Sequence, residues 1–330
     1  MPSLDPAVAE IRRAVRAALA EMTDAAVVGL SGGADSLALT AALAFEAPKA
    51  GISVAAVIVD HGLQPGSAEA AERAAAQASA LGLEAEVVRV RVASSGDGPE
   101  AAARDARRAA LREAVRRRGA RSVLLAHTLD DQAETVLLGL SRGSGAASLA
   151  GMAPATVDDD VTWRRPLLGV RRATTRAACA ADGLRPWDDP HNTDPAFARV
   201  RVRRAVLPVL EAELGPGIAE ALARTAEQLR EDAAAFAEMI EETIEDIVEP
   251  AEAGIAVSVA ALAANPPALR HRIIRHVVAS EFHVGLTRTQ TLEVARLVTD
   301  WSGQGPIDLP GCRARRAGGK IEFTASGSGI

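Results

Sequence analysis

The chain has 330 residues, 48% of them hydrophobic, and a formal net charge of −6, which is enough apolar mass for two domains with buried cores. The acidic balance argues against a protein that coats nucleic acid non-specifically, because such affinity comes from neutralising phosphates; it still allows a localised arginine patch. Cys179 and Cys312 are the only cysteines, so neither a zinc site nor a disulfide framework is suggested, and a cytoplasmic location fits.

At the amino end, Val8, Ile11, Val15, Leu19 and Met22 recur at helical spacing, which predicts an amphipathic helix rather than a signal peptide. No uncharged apolar run reaches the roughly 18–20 residues that span a bilayer. Short Val-rich runs follow at 25–30, 53–59, 84–90 and 122–127. Helical segments alternate with them at about 35–46, 67–81, 100–118 and 130–140. This alternation predicts an α/β fold, a parallel doubly wound sheet covered by helices on both faces. The polar peptides "SGGADS", "DHGLQPGS" and "HTLDDQ" each follow a strand, so they gather at the strands' carboxyl edge, where such sheets bind ligands.

Farther on, 152–168 reads as a hairpin with an acidic turn, and 170–182 and 199–213 as helices. "LGPG" at 214–217 marks a boundary between a catalytic domain, 1–215, and a mainly helical second domain, 216–330. That domain starts with a long helix over 218–248. Helices near 258–263, 267–281 and 287–299 follow, with short strands at the end.

The turn after the first strand holds the chemistry. Gly32 and Gly33 permit backbone angles closed to other residues, and a helix starting near Asp35 aims its unpaired N–H groups at the turn. Ser31 and Ser36 add hydroxyls. This is a cradle for an anion, most naturally phosphate; the plain alternative is a helix cap at Asp35 or Ser36. The G-x-x-x-x-G-K-[ST] pattern is absent, and no lysine is near.

S-G-G-x-D-S, carried by Ser31, Gly32, Gly33, Ala34, Asp35 and Ser36, resembles the PP-loop ATP pyrophosphatases (adenine nucleotide α-hydrolase-like). The resemblance implies that this loop holds the pyrophosphate of ATP and that Asp35 organises Mg²⁺. Further stretches at 59–71, 100–111, 126–152 and 165–211 resemble the tRNA(Ile)-lysidine synthetases, most specifically from His127 to Gly145. The resemblance implies adenylylation of C2 of the wobble cytidine in an isoleucine tRNA with anticodon CAU, followed by attack of L-lysine and loss of AMP. It also implies that the chain lacks the additional carboxyl-terminal domain of longer members.

In that light Asp130, Asp131 and Glu134, otherwise ordinary first-turn acids, become candidates for lysine's ammonium groups (Asp131, Glu134) or Mg²⁺ (Asp130, with Asp35). His127 is a candidate base or ATP contact, with a buried structural histidine as the alternative. Asp60 falls where the family places the nucleotide. Arg104, Arg107, Arg108 and Arg112 share one helical face; a solvated stripe is the default, while the family's A-R-x-x-R pattern assigns Arg104 to ATP and Arg107 to substrate. Arg201, with Arg199 and Arg203, matches the later basic motif and is a substrate contact by resemblance. Ser144 and Gly145 approach substrate or simply end a helix. Trp163 and Trp187 are the candidates to stack a flipped base. Two rivals remain: a 2-thiolation enzyme, which usually needs paired cysteines, and a nucleotide-binding domain without chemistry. The sequence permits an oligomer without requiring one.

Overall fold

The computed structural model describes residues 4–62, 64, 66–91, 99–143, 145–251 and 254–326; Ser144 lies outside them. The chain divides into two compact units, Met1–Arg230 and Glu231–Ile330.

The first unit opens with α1 (Pro6–Ala20), whose Val8, Ile11, Val15 and Leu19 are buried and whose first turn is capped by Asp5. There follow β1 (Ala26–Gly29), α2 (Ala34–Glu46), β2 (Val54–Asp60), α3 (Ser67–Ala80), β3 (Glu84–Arg89), α4 (Pro99–Arg117), β4 (Ser122–Leu124) and α5 (Leu129–Ser141). After a single helical turn, α6 (Ala146–Leu149), the hairpin β5 (Ala155–Asp158) and β6 (Val161–Arg164) leads to α7 (Arg172–Ala181). The sheet order is β3-β2-β1-β4-β6-β5, parallel throughout except for β5 against β6. β1 and β4 lie side by side although the chain has meanwhile run outward through β2 and β3, so the crevice at their carboxyl ends is the switch point where ligands bind. All four β1 residues are buried, as expected of a strand covered on both faces.

Leu37, Leu43 and Val15 pack one face of the sheet, and Leu111, Val115 and Trp163 pack the other. α8 (Ala198–Arg201) runs through one π-turn, Val202–Val206, into α9 (Leu207–Leu214). α10 (Ile218–Ile247) follows, and the division between the units falls within it, beyond the "LGPG" bend where the sequence places the boundary.

The second unit is more sheet-rich than its sequence suggests. β7 (Val248–Ala251) and β8 (Gly254–Ser258) precede α11 (Val259–Ala264), α12 (Pro267–Phe282) and α13 (Arg288–Thr299). β9 (Ile307–Leu309), β10 (Cys312–Ala317) and β11 (Lys320–Ala325) complete an antiparallel sheet ordered β7-β8-β11-β10-β9. Phe323, Ile321, Cys312 and Ala314 face Ile273, Val277 and Leu262 in its core. β7 is an edge strand and contains Pro250, a residue that masks a strand in sequence but is tolerated at an edge. Among the described residues no helix is long and apolar enough to cross a membrane.

Candidate active site

The turn between β1 and α2 has the geometry its glycines require. Gly32 sits at φ +84°, and a Cβ there would lie 3.4 Å from the Cβ of Ala74. Gly33 is the N-cap of α2 and no side chain caps that end, so its first N–H groups are left for a ligand. Ser36 Oγ braces the turn from within: it accepts from the Ser31 N–H at 3.2 Å, lies 3.0 Å from Ser31 Oγ and donates to the Gly33 carbonyl at 3.0 Å. Burial raises the pKa of Asp35, as does the charge of Asp131; the Thr175 hydroxyl and Arg172 work in the opposite direction. Thr175 Oγ1 donates to Asp35 Oδ1, and Arg172 Nε lies 3.4 Å from Asp35 Oδ2.

Arg172 is the hub of the site. Its Nη2 donates to Asp131 Oδ1 at 2.7 Å and its Nη1 to Glu134 Oε1 at 3.2 Å, while its backbone N–H donates to Asp130 Oδ2 at 2.7 Å. Burial disfavours its charge, but Asp131, Glu134, Asp35 and Asp130 together more than offset this and hold the guanidinium protonated. Arg203 comes from the π-turn and forks onto Glu134 at 2.6 and 3.0 Å, touching Asp131 at 3.3 Å. Such wider turns re-aim side chains and recur at functional sites. Asp131 also closes a capping box at the start of α5, accepting from the Thr128 N–H and hydroxyl at 2.9 Å each. Burial pushes its carboxyl up, yet Arg172, Thr128 and His127 prevail, and its pKa falls below the ordinary value.

These groups open onto a cavity of about 1120 Å³ at the carboxyl ends of the strands. Among the described residues, nine arginines line it, against the four carboxylates of Asp35, Asp131, Asp188 and Asp189. His61, His127, Trp163 and Arg165 are among the lining residues; Nδ1 of both histidines, Nε1 of Trp163 and Nε of Arg165 are themselves buried and have no hydrogen-bond partner among the described residues. Orphaned buried donors and acceptors are costly. Arg107 reaches the floor beside Gly29, where a Cβ would stand 3.5 Å from its Nη2; burial lowers its pKa, so an anion there would be welcome. His127 is pushed down to about 4, first by burial and then by Arg165, Arg107 and Arg199 against the pull of Asp131, so it is neutral at pH 7.

Of the residues singled out from sequence, Ser31, Gly33, Ala34, Asp35, Ser36, Arg104, Arg107, His127 and Asp131 line this cavity. Others are engaged elsewhere. Asp60 is buried and accepts from the Gly62 N–H at 3.0 Å, a local turn bond, while His61 takes the place on the wall. Asp130, grouped with Asp35 for metal, instead fixes the start of α7 through the Arg172 N–H and pairs with Arg171 at 3.6 Å. Arg201 donates to the carbonyls of Pro195 and Ala196 at 2.6 and 2.8 Å, and Arg199, Arg203 and Arg204 reach the cavity in its stead. Glu134 is fully buried behind Arg172 and Arg203. The arginine stripe of α4 splits: Arg108 and Arg112 each bond Asp158 of the acidic hairpin turn at 2.6 Å. Arg108 also covers Trp163, whose ring is fully buried, whereas Trp187 is half-buried at the wall of the cavity.

Comparison with known proteins agrees with this geometry. Residues 7–210 match the PP-loop domain family, and 258–321 match the TilS substrate binding domain. A tRNA(Ile)-lysidine synthase of Leifsonia xyli subsp. xyli is 62% identical over 299 residues, covering 90% of this chain and 89% of that protein. The chain belongs to the tRNA(Ile)-lysidine synthase family. The synthase of Salinispora arenicola is 48% identical, with 97% of each chain covered. Among solved structures, the U34-tRNA thiolase NcsA from Methanococcus maripaludis, a protein with a 4Fe-4S cluster, shares the fold at a TM-score of 0.58. Its identity is 20%, and the match covers 68% of this chain and 80% of that one.

In this member of the lysidine synthase family, the pairing of Arg172 and Thr175 with Asp35 was not foreseen from sequence, which offers Arg172 only as part of an arginine cluster at 164–176 suited to RNA phosphates. One signal was present. Arg171 and Arg172 open a helix at its amino end, where the helix dipole disfavours cations; two arginines in that position imply carboxylates nearby. Arg165 and the orphaned indole N–H of Trp163 left no such trace, because neither follows from local pattern.

Proposed function

We propose that this chain joins free L-lysine to C2 of the wobble cytidine in the CAU anticodon of an isoleucine tRNA, through an adenylylated cytidine, releasing pyrophosphate and AMP. The observation that carries this reading is the cationic cavity that joins an uncapped glycine turn, Asp35 and Asp131 in one space. An aromatic C2 oxygen is a poor leaving group; adenylylation converts it into AMP, a good one.

The free N–H groups of the turn, with Ser31 and Ser36, hold the β- and γ-phosphates. Asp35 is the carboxylate fitted to Mg²⁺, since such ions take one or two carboxylates plus substrate phosphates rather than a protein cage, and the ion would neutralise charge on the departing pyrophosphate. Among the described residues no cluster of three or more His, Cys, Asp or Glu offers such a cage. Arg104 and Arg107 take remaining phosphate charge.

Asp131, ionised and on the wall, receives lysine's ammonium groups, with Arg172 and Arg203 steadying it from behind. The attacking amine must be neutral, and its ordinary pKa is about 10.4. A histidine titrating near 4 is a poor base for it, so His127 serves as a contact. Desolvation among so many arginines favours loss of the amine's proton instead.

The second unit supports RNA binding by a surface not foreseen from sequence. Burial lowers the pKa of His271 and Arg275, and the charges acting on them are all cations: Arg270, Arg275 and Arg288 on His271, and Arg272 and Arg288 on Arg275. Arg270 is buried and donates to the carbonyls of Leu262, Ala263 and Asn265, so the exposed Arg288 with the half-buried Arg272 and Arg275 offers the charge that suits phosphates.

The test supplies purified protein with ATP, radiolabelled lysine and transcripts of the isoleucine tRNA bearing C or U at the wobble position. Label should enter only the C-bearing transcript and only with ATP. Incorporation without RNA, or none with either transcript, would discard the proposal.

A further inference from the structure

The segment Gly183–Asp189 follows α7, where the Leu184 N–H donates to the Cys179 carbonyl at 2.9 Å, and is anchored at four further points. Gln77 of α3 grips its backbone: Oε1 accepts from the Arg185 N–H at 2.8 Å and Nε2 donates to the Arg185 carbonyl at 3.1 Å. Two residues on, the Trp187 N–H donates to the Gly32 carbonyl at 2.9 Å. Arg176 meets Asp188 at 3.3 Å, and Gln64 Nε2 donates to Asp189 Oδ1 at 2.8 Å.

A separate cavity of about 540 Å³ lies between α3 and this segment, with Gly32, Ala70, Ala74, Gln77 and Trp187 on its walls. At the edge of that space the two hydrogen bonds of Gln77 tie the segment's backbone directly to α3. A peptide unit is planar and trans, so its C=O and N–H point in opposite directions. Trp187 holds the Gly32 carbonyl toward the segment; the Gly33 N–H, across the same peptide plane, is thereby aimed the other way. Accordingly Gly32 borders the second cavity, and Gly33 borders the first.

We infer that residues 185–189 form a strap that fixes the orientation of the Gly32–Gly33 peptide, and that Gln77, which does not line the nucleotide cavity, is a positioning residue for ATP. This rests on the reading of the turn as the phosphate site. Removing Gln77 loosens Arg185, then Trp187, then the peptide whose N–H faces the phosphates.

The experiment compares Gln77→Ala and Gln77→Glu with the unaltered protein in steady-state kinetics and in hydrogen–deuterium exchange. Gln77→Ala should raise KM for ATP about three- to tenfold, a range set by the modest net worth of two partly exposed hydrogen bonds. Its kcat at saturating ATP and its KM for lysine and tRNA should stay within about twofold of the original. Gln77→Glu keeps the acceptor for the Arg185 N–H and should show a smaller rise. The Trp187 amide should exchange faster in both variants. An unchanged KM for ATP in a variant of normal melting temperature, or an equal rise in all three KM values, overturns the strap. If the unaltered protein released no pyrophosphate, the functional reading would fail by itself. The exchange arm would still decide the strap, since undiminished Trp187 protection in Gln77→Ala contradicts it whatever the ligand.

Discussion

Asp35→Asn is expected to reduce tRNA-dependent pyrophosphate release by about a thousandfold or more, the scale seen when a group that stabilises transferring charge is lost, while leaving the fold intact. The substitution keeps an oxygen for Thr175 and removes only the charge. That charge is held at a cost: burial raises the carboxyl's pKa, which means that the folded state binds its proton more tightly than the unfolded state does. By linkage, such a group weakens folding once pH exceeds its unfolded value near 3.8. Asparagine therefore should leave the melting temperature unchanged or raise it by no more than about 4 °C. Calorimetry and a pyrophosphate assay on the same preparation check both halves. Near-normal turnover would return Asp35 to the role of an ordinary first-turn acid.

The second large effect is expected at Glu134. Its carboxylate is fully buried, with Arg203 at 2.6 Å and Arg172 at 3.2 Å. Glu134→Ala leaves Arg203 with Asp131, and Arg172 with Asp131 and Asp35. Breaking a buried pair by deleting one partner costs about 3–5 kcal/mol. Here Asp131 keeps part of the compensation, so roughly 3 kcal/mol is expected, or about 6–12 °C in melting temperature for a unit of this size. Both half-reactions should slow, because Arg172 also orients Asp35 and Asp131. A direct lysine contact at Glu134, as its place beside Asp131 in sequence suggests, would give the opposite pattern: a raised KM for lysine with little change in stability. Thermal melts paired with lysine titrations separate the two.

The contrast between these acids shows where sequence was legible. The conformation of the turn after β1 could be read because it is local: two glycines, two hydroxyls and a helix start lie within six residues. The parallel sheet was legible in its Val-rich strands, of which β1 is buried along its whole length and β2 nearly so because both faces are covered. What could not be read was the set of partners each polar side chain takes in the fold. Asp60 and Asp130 bond nearby backbone N–H groups and Arg201 bonds nearby carbonyls, outcomes that depend on rotamer rather than spacing. The hub at Arg172 joins residues 35, 131, 134 and 203 only after folding, and no periodicity encodes that meeting. β7 and β8 escaped because each is short and one contains proline.

The central claim, that the turn directs the energy of ATP onto a nucleobase, is tested most directly by a single turnover without lysine. Enzyme, α-labelled ATP and the C-bearing isoleucine tRNA should yield one pyrophosphate for each AMP joined to the RNA, and added lysine should then discharge the AMP. Pyrophosphate released with no label on the tRNA, or AMP found on lysine instead of RNA, would contradict it.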